Sequence, residues 1–95
     1  MYKTFIENDK GYLNWLDEHR EGFVINSHRI SDPKYLVLHR ARCSSISRPG
    51  VEPGAWTERG YIKICSEDIN SLRAFVRENG RTDGTFSNEC SFCCK

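Results

Sequence analysis

The order of elements legible in this 95-residue chain predicts a small α+β domain, a three-stranded antiparallel sheet with two helices. Three observations lead there. Two segments repeat apolar residues at the spacing of a helix, three short runs are rich in β-branched and aromatic residues, and the length suits one domain over residues 1–95. A chain of this size buries only about 60–65% of its unfolded surface, so a disulfide, a metal or a partner commonly supplements the core.

The first helix is expected over residues 8–20. Asn8 or Asp9 can cap it, Tyr12, Leu13, Trp15 and Leu16 gather on one side, and Gly22 ends it. Residues 23–27 (Phe-Val-Ile-Asn-Ser) form the first strand, and Ser31-Asp32-Pro33 signals a turn. Residues 35–39 (Tyr-Leu-Val-Leu-His), apolar on both faces, read as a central strand that completes a hairpin with the first. Residues 44–60, with Pro49, Gly50, Pro53, Gly54 and Gly60, make a long irregular connection. The third strand covers residues 61–65. A second helix follows, capped by Ser66, with Glu67 and Asp68 in its first turn and an apolar stripe of Ile69, Leu72, Phe75 and Val76. Asn79-Gly80 stops it, and a polar tail leads to Cys90-Ser91-Phe92-Cys93-Cys94.

Composition excludes several classes. No apolar run approaches the roughly 20 residues of a membrane helix, and residues 1–9 lack the apolar stretch of a secretory signal. The expected setting is therefore cytoplasmic and reducing, where structural disulfides are uncommon. Five cysteines cannot all pair internally, so metal ligands or buried thiols are the expected roles. No phosphate-binding glycine loop, nucleophile elbow or paired-carboxylate pattern is present, and the chain is read as non-catalytic.

Two ligand-like pairs stand out. His39 and Cys43 are separated by three residues, and Cys90 and Cys93 by two, both within the spacings of structural zinc sites. Thiolate and imidazole donors suit zinc better than magnesium or calcium. A tetrahedral site of His39, Cys43, Cys90 and Cys93 would tie the C-terminal segment to the sheet. Four protein ligands leave no open position, which makes the zinc structural. Two substitutes stay open: Cys94 in place of Cys93, and Cys65 in place of His39, although Cys65 at the end of an apolar strand also reads as a small buried hydrophobe.

The run His39-Arg40-Ala41-Arg42-Cys43, a later strand ending in Ser66, a helix, and Cys90-Ser91-Phe92-Cys93 resemble the metal-binding domain of Ada-type DNA repair proteins. The likeness covers about residues 35–94. It implies one zinc held by the two pairs and contact with the DNA backbone. The position of the family's methyl-accepting cysteine, the first ligand of the first pair, is His39 here, so methyl transfer is not implied. Residues 11–16, 22–26 and 35–39 also resemble an uncharacterised small bacterial domain, which names no activity.

Charge is uneven along the chain. The net charge is +1, yet residues 26–48 hold Arg29, Lys34, Arg40, Arg42 and Arg48 against Asp32 alone. Arg40, Arg42 and Arg48 cluster around the first ligand pair and are expected to face phosphate, with Trp56 or Tyr61 available to stack on bases. The expected function is a zinc-stabilised, non-catalytic nucleic-acid-binding module. The alternative is a protein-interaction module, with or without zinc, anchored by Tyr12, Trp15 and Trp56.

Overall fold

The computed structural model describes residues 1–48 and 50–91. Its elements run β1 (Lys3–Phe5), α1 (Asp9–Glu18), β2 (Phe23–His28), β3 (Leu36–Arg40), a 3-10 turn (Ser44–Ile46), β4 (Tyr61–Ser66), α2 (Ile69–Glu78) and β5 (Asn88–Glu89). The strands form one five-stranded sheet in the order β1-β4-β2-β3-β5. The α+β class holds, but the expected three-stranded antiparallel sheet does not. The expected hairpin is present as β2 and β3, and β4 pairs with β2 on the other side. To these the fold adds β1, antiparallel to β4, and β5, parallel to β3. Both additions escape a pattern search for a physical reason. β1 turns only Phe5 inward, and β5 is two exposed polar residues joined to its neighbour through backbone groups.

Alternation along the strands divides the core. Val24 and Cys65 face α1, packing with Phe5, Tyr12, Trp15 and Leu16. Ile25, Leu38 and Ile64 face the other way and pack against Leu72 and Val76 of α2. The sheet is therefore buried on both sides, which is why β3 reads as apolar on both faces. Leu13, expected on the inner side of α1, is 39% exposed, since the contact stripe passes through Tyr12, Trp15 and Leu16 instead.

Asn8 caps α1 by accepting from the Gly11 N–H at 2.9 Å. The α2 cap is Asp68, whose carboxylate accepts from the Asn70 N–H, and not Ser66 as expected. Ser66 ends β4, and its hydroxyl accepts from the Asp68 N–H one step earlier in the turn. Gly22 is a close-approach glycine: a Cβ there would lie 2.7 Å from the Trp15 ring and 3.1 Å from the Ser66 carbonyl oxygen.

The long connection is pinned by polar groups. The Asp9 carboxylate accepts from the Thr57 N–H at 2.6 Å, the Thr57 hydroxyl at 2.7 Å and the Trp56 N–H at 3.3 Å. Lys63, 2% exposed, donates to the Trp56 carbonyl at 2.7 Å and to Asn26 Oδ1 at 2.8 Å. Burial lowers its ammonium pKa to about 8, with Asp9 and Cys65 pulling weakly the other way.

The segment leading to Cys90 is joined to the sheet by packing and by hydrogen bonds. Phe86 is buried against the α2 face. The Ser87 and Cys90 N–H groups donate to the Leu36 and Leu38 carbonyls at 3.0 and 2.9 Å, and the Leu36 N–H donates back to the Ser87 hydroxyl at 2.7 Å.

Candidate metal centre

His39 lies next to last in β3, opposite Val24, so its ring is on the α1 face and only 8% exposed. One residue beyond the strand the chain turns: the Ala41 N–H donates to the Gly22 carbonyl at 2.9 Å and the Cys43 N–H to the Arg40 carbonyl at 3.0 Å. Burial of Ala41, Cys43 and Ile46 in the α1-side core then holds the turn against the sheet. Cys90 arrives from the other direction. The parallel register pairs Val37 with Asn88 and Leu38 with Glu89, so the next step brings Cys90 abreast of His39.

The result is a cluster. The ligand atoms of His39, Cys43 and Cys90 all lie within 4.8 Å of one another. The two sulfurs are 3.9 Å apart. Tetrahedral zinc with bonds of about 2.3 Å to sulfur requires a sulfur–sulfur separation of about 3.8 Å. The observed spacing thus suits two thiolates on one ion, whereas a disulfide would need about 2.05 Å. Burial, then the nearby Lys63 ammonium, lowers the His39 pKa to about 4, so at neutral pH the ring is uncharged and keeps a lone pair for a metal. One imidazole and two sulfurs, two of the three buried and all convergent, fit zinc and fit poorly the oxygen-seeking ions.

The whole of the first expected pair, His39 and Cys43, thereby meets Cys90 of the second. Cys93, the expected fourth ligand, and Cys94, its substitute, lie outside the described residues. Cys65 is not a substitute. It sits opposite Val24 on β4, two strands from His39, or about 10 Å at the usual strand spacing. Its 1% exposure and a thiol pKa pushed well up by burial make it a core residue. Ser45 is a member that sequence reasoning missed. Its Oγ is 2.9 Å from Cys43 Sγ, 3.5 Å from His39 Nδ1 and 4.0 Å from Cys90 Sγ. No ligand spacing marks a serine, so nothing in the sequence singles it out.

The three arginines are all exposed, but they do not form one patch. Arg40 lies across from Phe23 with its guanidinium 5.7 Å from the ring, on the face opposite His39. Arg42 pairs with Glu21 and donates from Nε to the Arg20 carbonyl at 3.2 Å. Arg40 and Arg42 line one hollow of about 230 Å³ together with Arg20, which the sequence did not single out. Arg48 follows the 3-10 turn and is not among that hollow's lining residues.

The aromatic candidates are mostly core. Tyr12, Trp15 and Trp56 are at most 9% exposed, which removes all three as surface anchors for a partner. Trp56 packs the long connection onto the sheet. Tyr61 is 38% exposed and stacks on His28, with the centroids 5.3 Å apart. His28 in turn stacks on Tyr35 at 4.2 Å, and His19 stacks on Trp15 at 4.5 Å. Among the described residues no helix is long and apolar enough to cross a membrane. Comparisons with family models, with curated proteins and with solved structures find no match for this chain.

Proposed function

We propose that this chain is a zinc-stabilised nucleic-acid-binding module with a structural, non-catalytic ion. The convergence of His39, Cys43 and Cys90 within 4.8 Å is the observation that carries the reading. In it Cys93 supplies the fourth ligand, and the closed Cys3His set leaves no position for substrate. Zinc bound there would close the 39–43 turn onto the segment carrying Cys90.

The turn displays Arg40 and Arg42 between two ligands, so coordination would also restrict the backbone from which both guanidiniums project. Arg20, Arg40 and Arg42 line one hollow together with Glu21, the partner of Arg42, and Arg48 lies apart; in this reading their guanidiniums are the donors to phosphate oxygens. This part of the reading agrees with backbone contact as the Ada-type resemblance implies it. An imidazole at position 39 cannot act as a methyl-accepting thiolate, so the proposed role is recognition without transfer.

The test is binding of a short duplex and of a single strand by zinc-loaded protein across a salt series. A fall of log K with log salt, shallower by about one phosphate contact in Arg42→Gln, supports the reading. Binding that ignores salt, or no binding to either probe at low salt, removes the nucleic-acid assignment and leaves the metal site standing.

A further inference from the structure

The hydroxyl of Ser45 lies beside all three clustered ligands, nearest Cys43, and metal binding fixes the direction of that nearest contact. Zinc takes cysteine as the thiolate, which has no proton to give. The 2.9 Å contact between Ser45 Oγ and Cys43 Sγ must then run from the serine O–H to the sulfur. That uses the only proton the hydroxyl owns. The 3.5 Å contact with His39 Nδ1, at the outer limit of a hydrogen bond, can then only run the other way, from ring N–H to Ser45 Oγ, which requires the tautomer protonated on Nδ1. In that tautomer Nε2 is the atom left to bind metal.

We infer that Ser45 is a positioning residue of the zinc site, accepting from His39 Nδ1–H while donating to the Cys43 thiolate. It would select the histidine tautomer and disperse charge from one sulfur at the same time. The inference rests on the zinc reading above. Its local setting favours it: Ser45 sits in the middle of the Ser44–Ile46 turn, which Ile46 anchors in the core, and the Ser47 hydroxyl holds the Cys43 carbonyl at 2.8 Å. Outer partners of this kind commonly change metal affinity by about 10–100-fold when removed. The Cys90 sulfur, at 4.0 Å from the hydroxyl, lies at the outer limit of a contact and receives no proton in this scheme.

The experiment uses the full chain, zinc alone as the probe, and competition against a chromophoric chelator. Ser45→Ala is expected to bind zinc about 10–100-fold more weakly, and Ser45→Thr to recover most of the loss. Cobalt substitution supplies a readout that a merely structural role would not move. In Ser45→Ala the sulfur-to-cobalt charge-transfer band shifts to lower energy, while its intensity, set by the number of thiolates, is kept. Nitrogen NMR of zinc-loaded wild type is independent of any variant and should show His39 with its proton on Nδ1. Zinc on Nδ1, or a Ser45→Ala affinity within twofold of wild type, overturns the inference and leaves the zinc site intact. A wild type that takes up no zinc overturns the zinc reading itself, and the inference with it.

Discussion

If the proposed zinc site is filled, chelating the ion should lower the melting temperature by about 20 °C without unfolding the protein at room temperature. The reasoning starts from how each ligand is held. His39 is inside a strand paired on both sides, Cys43 is buried among Ala41, Ile46 and the residues of α1, and the Cys90 N–H donates to Leu38. These restraints are made by protein groups, and the two sulfurs stand 3.9 Å apart. On the zinc reading, the metal is therefore expected to act mainly as a ligand of the folded state. At free zinc about a thousandfold above Kd that linkage is worth about 4 kcal/mol. The entropy of unfolding for 95 residues is about 0.2 kcal/mol per kelvin near the midpoint, which converts the stabilisation to about 20 °C. Scanning calorimetry with buffered zinc and with chelator measures it directly, and Cys90→Ser should melt near the chelated wild type in both. A chelated protein already unfolded at 25 °C would show that the metal nucleates the fold. Identical melting with and without zinc would show that the cluster binds none.

Three further outcomes follow from the packing. Trp56→Ala should cost about 3–5 kcal/mol in urea unfolding, because it opens the α1-side core; a loss below 1 kcal/mol would return Trp56 to the surface. Gly22→Ala should cost about 1–3 kcal/mol, since the new methyl meets the Trp15 ring and the Ser66 carbonyl; an unchanged urea midpoint would refute the close approach. Lys63 titrates near 8 when folded and near 10.5 when unfolded, so the unfolded chain binds more protons between those values and stability rises with pH. From pH 7 to 9 this contributes about 1 kcal/mol, opposed at the upper end by the buried Cys65 thiol, which stays protonated in the fold after the unfolded chain has lost its proton. Comparing the two pH values in wild type and Lys63→Met isolates it: equal slopes in both proteins would refute the assignment.

Local pattern carried much of this molecule. The stripe Ile69, Leu72, Phe75 and Val76, the Asn8 cap and the hairpin of β2 and β3 are interactions between residues near in sequence, and each is legible there. So is the pairing of His39 with Cys43, a ligand spacing that needs only one turn of chain. Other decisions belong to contacts between distant segments. The parallel bridge of β5 to β3 is made by backbone groups that every residue owns, so Asn88 and Glu89 bear no mark of it. That bridge brings Cys90 beside His39 and leaves Cys65 two strands away, though both cysteines looked eligible as ligands. Trp15 and Trp56 are large and amphipathic, equally suited to a core or a surface, until α1 and the long connection close over the sheet. Ser45 enters the centre through the fold of a three-residue turn. Which residues are chemically able to hold a metal, and where the helices and hairpin lie, can be read along the chain, because those depend on side-chain type and local period. Only the tertiary structure decided which of the able residues meet, because strand order and register are set by burying two apolar faces at once.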